Sequence, residues 1–300
     1  MADTSGMAEI RGIDIDKLAK GYAEESYVLK QYCRNAPTSA REIRWYKKTA
    51  GTLDSSDTSG ITASQIYNVA EGALPDIIEQ SWTRQTSYVK KFMADSPLIS
   101  MEDVKDSDID VLSQNMKDIV RAVAQQVNIR IFSVLVEAAA ATPTTPVLTS
   151  VNSGGAAGTG WDDTTNGSPI FDILSGSAKI QAYNYSTAGG VIVLNPSDYK
   201  NLLNNIISVK GSSIPNFSSE KAGSGVLMEL LGWKVVVTTN VTAAYAYMFV
   251  PGTTLAWRQF EPITAVEIEE KGIGTKIRCW ESGEALLEHP RSCCVITNID

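Results

Sequence analysis

The sequence predicts an α+β fold that contains one very long helix, a mixed α/β unit and a strand-rich C-terminal part. Three observations lead to this prediction. Residues 106–141 repeat their apolar side chains at helical spacing without Gly or Pro. Residues 190–207 have the pattern of a buried strand followed by a helix that begins at a proline. From residue 243 onward, runs rich in β-branched and aromatic residues predict one strand after another.

Composition limits the classes of function. The chain has 300 residues, 34 acidic against 26 basic side chains, and a formal net charge of −8. This charge argues against tight nucleic-acid binding, because neutralising phosphates requires clustered Lys and Arg. No segment approaches the roughly 18 consecutive apolar residues of a membrane span, and the N-terminus does not resemble a signal peptide. We therefore expect a cytoplasmic chain without a membrane segment, and its four Cys residues, without a CxxC spacing, fit that compartment.

The N-terminal part predicts an arm that needs a partner. Residues 14–35 have the spacing of an amphipathic helix, with Leu18 and Tyr22 on its apolar face. Residues 41–48 predict a strand that places Ile43 and Trp45 on one side and charged residues on the other.

A long excursion follows this first strand. Residues 50–60 are rich in Gly, Ser and Asp and predict an exposed turn, and residues 82–93 predict a second strand. The aromatic side chains of the two strands are too many for a solvated hairpin, so we expect them to lie on a neighbouring subunit. The candidate inter-subunit contacts are Trp45, Trp82, Tyr88 and Phe92, together with Leu18 and Tyr22 of the arm.

The long helix has clear limits. About 33 residues at about 1.5 Å each make a rod of roughly 50 Å. Asp106, Ser107 and Asp108 offer N-cap oxygens and negative charge at its start. Residues 142–169 break the composition and predict a linker or surface insertion in which Trp161 is the anchor.

The α/β unit comes next. Its predicted elements are helices over residues 171–183, 196–207 and 226–231, strands over 190–194 and 234–238, and a Ser- and Gly-rich loop over 211–225.

The motifs of common enzymes are missing. The sequence contains no Gly-Lys dipeptide, which excludes a Walker A loop. The Gly-rich stretch at residues 154–160 precedes no predicted helix and is interpreted as a flexible loop. His289 is the sole imidazole, and a hydrolase would have to pair it with Cys293 or Cys294. Adjacent strand residues face opposite sides, so at most one of these thiols could reach it, and packing roles are favoured.

The acidic residues of the C-terminal part also form no catalytic set. Glu267, Glu269 and Glu270 lie on one predicted strand and are interpreted as a solvated face. The sequence therefore predicts no catalytic, cofactor-binding or metal-binding residue and no cofactor.

Several segments carry a resemblance to a known family. Residues 98–111, running into 114–132, look like a return strand that leads into a spine helix, and residues 191–202 resemble a strand followed by Asn-Pro and a helix. Residues 230–240 and 277–298 resemble strands that come later in the same family. In this order, they resemble the major capsid proteins of tailed bacteriophages and related archaeal viruses, the Hong Kong 97 fold. The resemblance covers most of residues 40–300.

The resemblance implies a domain organisation. It comprises an N-terminal arm at residues 1–40, an extended β loop at 41–103, a peripheral domain with the spine helix at 104–169 and 256–300, and an α/β axial domain at 170–255.

It also implies a function. We expect a major capsid protein without enzymatic activity that self-assembles through pentamers and hexamers into an icosahedral viral head around double-stranded DNA. Expected partners are a separate scaffolding protein, a portal and decoration proteins, with only weak, non-specific contact to DNA, and assembly is expected in the host cytoplasm. The alternative is an encapsulin-type nanocompartment around a protein cargo, which the long loop at residues 41–103 disfavours.

Overall fold

The structure is a computed structural model. It describes residues 28–50, 70–74, 81–100, 102, 110–137, 149–153, 159–163, 165–209 and 229–300. Leu18 and Tyr22, residues 51–60 and the expected N-cap residues 106–108 lie outside these ranges.

The helices with described bounds are α1 (Asp110–Glu137), α2 (Pro169–Ala182) and α3 (Pro196–Asn204). With 28 residues at about 1.5 Å each, α1 is about 42 Å long, which confirms the predicted rod. Pro196 occupies the first turn of α3 as predicted, and the Asn195 side chain accepts a hydrogen bond from the Ser197 amide at 3.2 Å. A π-helical turn at Asn205–Val209 continues α3. Short 3₁₀ turns lie at Lys30–Tyr32 and Pro290–Ser292.

The strands with described bounds form three sheets. They are β1 (Arg34–Pro37), β2 (Glu42–Ala50), β3 (Ser81–Tyr88), β4 (Lys90–Asp95), β5 (Ile99–Ser100), β6 (Thr149–Asn152), β7 (Val191–Leu194), β8 (Glu229–Leu230), β9 (Trp233–Val237), β10 (Tyr245–Phe249), β11 (Leu255–Glu270), β12 (Gly274–Leu287) and β13 (Cys293–Thr297).

The chain divides into two compact units, and the first lies within Met1–Ile43, Ser87–Val134 and Ala256–Leu286. Its sheet has the order β1-β11-β12-β4, and β5 also pairs with β12. The α1 side of its core consists of Met116, Val120 and Val123, which pack with Ala265, Ile277 and Cys279 of the two long strands. The helical spacing of the α1 residues therefore serves to cover this sheet.

The second unit lies within Arg44–Thr86, Leu135–Leu255 and Leu287–Asp300. Its sheet has the order β6-β13-β10-β7-β9-β8, in which β7 pairs in parallel with β9 and antiparallel with β10. All four residues of β7 are buried, as expected for a continuous apolar strand in the middle of a sheet. Trp161 confirms its predicted anchoring role, because it is 1% exposed and its indole N–H donates to the buried Asp172 carboxylate at 2.9 Å.

Three short strands replace predicted coil or helix. The predicted helix over residues 14–35 is wrong at its end, where β1 pairs in parallel with β11. The predicted linker over residues 142–169 contains β6, which pairs with β13. The predicted helix over residues 226–231 is wrong at Glu229–Leu230, which is strand β8. For β1 and β6, pairing with a strand distant in sequence decides a local sequence of weak preference. β8 instead forms a tight hairpin with β9, the strand that follows it directly.

Two of the predicted C-terminal strands are long. Residues 255–270 and 274–287 are each continuous, although the first contains Pro262 and the second Gly283. β1 pairs only with residues 256–259 of β11, so no described strand on that side requires an N–H at Pro262. At Gly283, a Cβ would lie 2.4 Å from the Trp257 ring, so the glycine lets that ring pack on the strand.

Candidate inter-subunit surfaces

The predicted contact residues centre on a two-stranded sheet, β2–β3, named here the ribbon. Neither strand pairs with any other described strand. The confirmed alternation in β2 buries Ile43, half-buries Trp45 and exposes Arg44. A two-stranded ribbon is marginally stable by itself, so it requires support from another surface.

The ribbon exposes aromatic side chains. Tyr88 is 64% exposed. Tyr46 is 65% exposed, although it was not among the contact residues predicted from the sequence. Trp45 is half-buried, and its indole N–H is enclosed without a hydrogen-bond partner among the described residues. The side chain of Trp82 lies outside the description, although its backbone belongs to β3. The ribbon therefore exposes large aromatic side chains, which is typical of interface anchors.

Phe92 has a different environment. The single strand predicted over residues 82–93 is broken at Val89, and its second part, β4, pairs antiparallel with β12. Phe92 packs on the α1 cluster of the first unit, with its ring centroid 6.5 Å from that of Trp257. The prediction that both loop strands lack partners in their own chain is therefore wrong for residues 90–95.

The end of β3 is fixed by a buried polar network. Ser87 Oγ donates to Glu284 Oε1 at 3.2 Å, and the Arg130 guanidinium of α1 forms an ion pair with the same oxygen. Glu284 is fully buried in β12. Breaking a buried ion pair by removing one partner typically costs about 3–5 kcal/mol, because the other charge stays uncompensated. This network ties Ser87, near the end of β3, to α1 and β12.

A second buried pair holds the segment that precedes β1. The Lys30 ammonium forms an ion pair with the fully buried Glu281 and lies 5.7 Å from the Trp257 ring centroid. The amide of Leu29, itself buried, donates to Asn128 of α1 at 3.2 Å. Sequence reasoning missed both glutamates. Their position within an otherwise apolar strand, ESGEALL, was the available indication, since unpaired carboxylates are rarely buried.

A further exposed surface lies where β11 turns into β12, at residues 266–273, named here the hairpin tip. Val266 is 41% and Ile273 57% exposed. Glu267 and Glu269 are exposed, and Glu270 forms an ion pair with Lys276 at 3.0 Å. The tip is thus acidic, as predicted, but it also carries exposed aliphatic side chains.

The second unit has an open depression of about 780 Å³ beside β8 and β9. Gly190, Glu229 and Lys234 are among its lining residues, and Gln181 donates to Thr187 Oγ1 at 2.9 Å there. None of its described lining residues carries an imidazole or a thiol. It therefore offers no nucleophile paired with a base of the kind a triad requires.

The catalytic alternative receives no support from the placement of its residues. His289 is exposed, and its Nδ1 lies 3.3 Å from the Tyr185 hydroxyl. Cys293 and Cys294 are both fully buried, and burial raises the pKa of the Cys293 thiol well above its ordinary value. A thiol of this kind is a poor nucleophile, because the thiolate is the reactive form.

The part of the chain that the structure describes contains neither a candidate metal site nor a helix suited to cross a membrane. No cluster of three or more His, Cys, Asp or Glu side chains within it is arranged to bind a metal ion. None of the helices in that part combines the length and apolar character needed to cross a bilayer.

Comparison with solved structures identifies the fold. The capsid of cyanophage P-SCSP1u superposes with a TM-score of 0.65 at 12% identity, over 90% of this chain and 88% of that one. The mature capsid of bacteriophage PhiM1 gives 0.63 at 12% identity, over 90% and 86%. A virus-like particle from Pyrococcus furiosus gives 0.59 at 11% identity, over 94% and 97%. The predicted α+β fold of the Hong Kong 97 type is confirmed.

Comparison of sequences identifies the family. A search of curated proteins found no match. A family model described as "Phage capsid protein" matches residues 86–296, more than two thirds of the chain. The match to a phage capsid family does not favour the alternative that this chain is an encapsulin-type nanocompartment protein. The chain belongs to the phage capsid protein family and is a major capsid protein.

Proposed function

We propose that this chain builds a closed icosahedral shell from copies of itself, arranged as pentamers and hexamers around double-stranded DNA. The observation that carries the proposal is the ribbon, which exposes Tyr46 and Tyr88 and pairs with no other described strand. Surface of this kind is stabilised when it lies on another subunit, and permanent interfaces of about 2,000–5,000 Å² are of the size a shell needs.

The partners follow from the same proposal. A net charge of −8 favours only loose, non-specific contact with packaged DNA, since like charges repel. We also propose that a separate scaffolding protein guides assembly in the host cytoplasm. We further propose a portal and decoration proteins as partners, and the virion as the location of the assembled shell. The buried environment of Cys293 and Cys294 supports a purely structural role.

Deletion of residues 51–80, with the flanking strands kept, tests the role of the loop. We expect the purified wild-type chain to form particles visible by light scattering and electron microscopy. We expect the deletion variant to keep the circular dichroism spectrum of a folded chain, because the described residues of both cores belong to other segments of the chain. Its particles should be lost.

Two outcomes would contradict the proposal. A wild-type chain that stays a monomer under all assembly conditions would remove its basis. Intact particles from the deletion variant would show that the loop does not contribute to the shell.

A further inference from the structure

The sequence contains one Asn-Gly pair, Asn166–Gly167. This dipeptide is prone to spontaneous deamidation, because a glycine without Cβ leaves its backbone nitrogen free to approach the preceding side chain. In the reaction, the Gly167 nitrogen loses its proton and attacks Cγ of Asn166. The new N–Cγ bond closes a succinimide ring, while the Cγ–Nδ2 bond breaks and ammonia leaves. Water then opens the ring to aspartate or isoaspartate, and no oxidant or reductant takes part.

The packing of the second unit requires the glycine of this pair. Gly167 is buried, and a Cβ at this position would lie 2.5 Å from the Asp163 carbonyl oxygen and 2.8 Å from that of Gly160. Backbone atoms at these distances cannot yield without a shift of the loop. The reactive pair is therefore a consequence of how the loop packs.

The same loop restrains the nitrogen that would attack. The Gly167 N–H donates to the Asp163 carbonyl oxygen at 3.0 Å. The Gly167 carbonyl oxygen accepts from the side-chain amide of Asn205, which is 1% exposed, at 3.3 Å. The peptide group on each side of the glycine is thus fixed, and the nitrogen must give up a hydrogen bond before it can reach Cγ.

The Asp163 carboxylate restrains the group that would be attacked. Its Oδ1 accepts from the backbone N–H groups of Thr165 at 2.7 Å and of Asn166 at 3.2 Å. These bonds, the one from Thr165 first, lower the pKa of the Asp163 carboxyl, so it is an ionised acceptor at neutral pH. Asp163 therefore holds the nucleophile through its carbonyl oxygen and the Asn166 backbone through its side chain.

We propose that Asn166 is a deamidation site that the folded second unit keeps unreactive through Asp163. The Asn166 side chain is exposed, so water reaches it and the rate depends on local opening of the loop. Deamidation would place a new negative charge beside Asp162 and Asp163. Isoaspartate would also lengthen the backbone between the buried Trp161 and the start of α2. The inference goes beyond the proposed function and does not depend on it.

Peptide mapping by mass spectrometry tests the inference on unassembled, full-length subunits kept at one mildly alkaline pH. The wild-type chain is compared when folded and in concentrated urea. Asp163→Ala removes the carboxylate, and Asp163→Asn keeps an acceptor oxygen at the same place. The control is Asp162→Ala, which removes a neighbouring exposed carboxylate and changes the net charge as Asp163→Ala does.

We expect residue 166 of the wild type to deamidate at least about tenfold faster in urea than when folded, since unfolding removes the restraint. Asp163→Ala should deamidate at least about fivefold faster than wild type while keeping the circular dichroism spectrum of a folded chain, because two hydrogen bonds are lost. Asp163→Asn should stay within about threefold of wild type, as neutral acceptors form weaker bonds of the same geometry. The Asp162→Ala control should match wild type.

Hydrogen exchange of the wild type gives a measurement that needs no variant. The Gly167 amide should exchange more slowly than in an unstructured peptide, because it is hydrogen-bonded and buried.

Three results would overturn the inference. The first is deamidation of the folded wild type at the rate seen in urea. The second is a Gly167 amide that exchanges as in an unstructured peptide. The third is a folded Asp163→Ala variant that deamidates no faster than the Asp162→Ala control. None of them concerns particle formation, so the proposed function fails only if the wild-type chain forms no particles.

Discussion

The ribbon and the central strand β7 use apolar residues in opposite ways. β7 reads VIVL, and each of its residues is at most 1% exposed between β9 and β10. In the ribbon, Tyr46 and Tyr88 are each about two thirds exposed, and no described strand flanks the pair. The comparison shows two uses of large side chains in one chain. Those of the two cores are covered within the chain, whereas those of the ribbon are exposed and can contact another surface.

The largest expected effect on stability lies in β7. Ile192→Ala should lower the free energy of unfolding by about 2–5 kcal/mol, because it leaves a cavity at a fully buried position. Urea denaturation of unassembled subunits measures the change. Val237→Ala on β9, where the side chain is 39% exposed, should cost clearly less. Equal losses at both positions would contradict the assignment of β7 to the core.

The buried network at the end of β3 should come next. Glu284→Ala removes the partner of Arg130 and of Ser87 and should cost about 3 kcal/mol. Glu270→Ala breaks the partly exposed pair with Lys276 and should cost at most about 1 kcal/mol. Chemical denaturation distinguishes the two, and a Glu284 variant as stable as the Glu270 variant would show that the network does not fix the strand.

Substitution of the ribbon tyrosines should affect assembly and not the stability of the subunit. Replacing Tyr46 and Tyr88 by Ala should change the free energy of unfolding by no more than about 0.5 kcal/mol per site, as is usual for exposed side chains. The yield of particles should fall strongly, because interface aromatic anchors are typically worth about 2 kcal/mol or more each. Phe171→Ala, at a 62% exposed position on α2, is the matched control and should leave the yield near wild type. If the tyrosine variant lost stability but still formed particles, the ribbon would belong to the core of the subunit and not to an interface.

The smallest expected effect concerns Asp198 in the first turn of α3. Its side chain is buried with one oxygen unpartnered, and burial raises the pKa of this carboxyl. The folded state therefore favours the protonated form, and its contribution to stability is present below the unfolded pKa of about 3.8 and is lost as pH rises through the folded pKa. Asp198→Asn should remove this loss.

Thermal unfolding over a pH series checks the prediction. The Asn variant should be more stable than wild type at neutral pH, and its advantage should shrink as the pH falls towards the unfolded pKa. An advantage that is independent of pH, or a loss of stability at neutral pH, would contradict the assignment.

Local patterns predicted the elements that local physics decides. The spacing of apolar residues in α1 and the buried run of β7 need no information about distant partners, and both are confirmed. The break at Val89 and the strand β6 depend on pairing with β12 and β13, which lie far away in the sequence. Propensity alone does not contain that information.

The same distinction holds for the candidate surfaces. The aromatic content of residues 41–48 and 82–88 is visible in the sequence and indicates an interface, whereas Phe92 shares that composition and packs in its own unit. The sequence indicated a solvated acidic face at the hairpin tip but not the exposure of Val266 and Ile273. That exposure depends on how β11 and β12 lie in the sheet, which the sequence pattern does not contain. The buried Glu284 was missed because its partner, Arg130, is on α1.

Electron cryomicroscopy of the purified wild-type chain tests the central claim most directly. We expect closed particles in which the ribbon of each subunit lies on a neighbouring copy, with Tyr46 and Tyr88 covered. A stable monomer of 32.4 kDa, or a shell in which both tyrosines stay in solvent, would contradict the account.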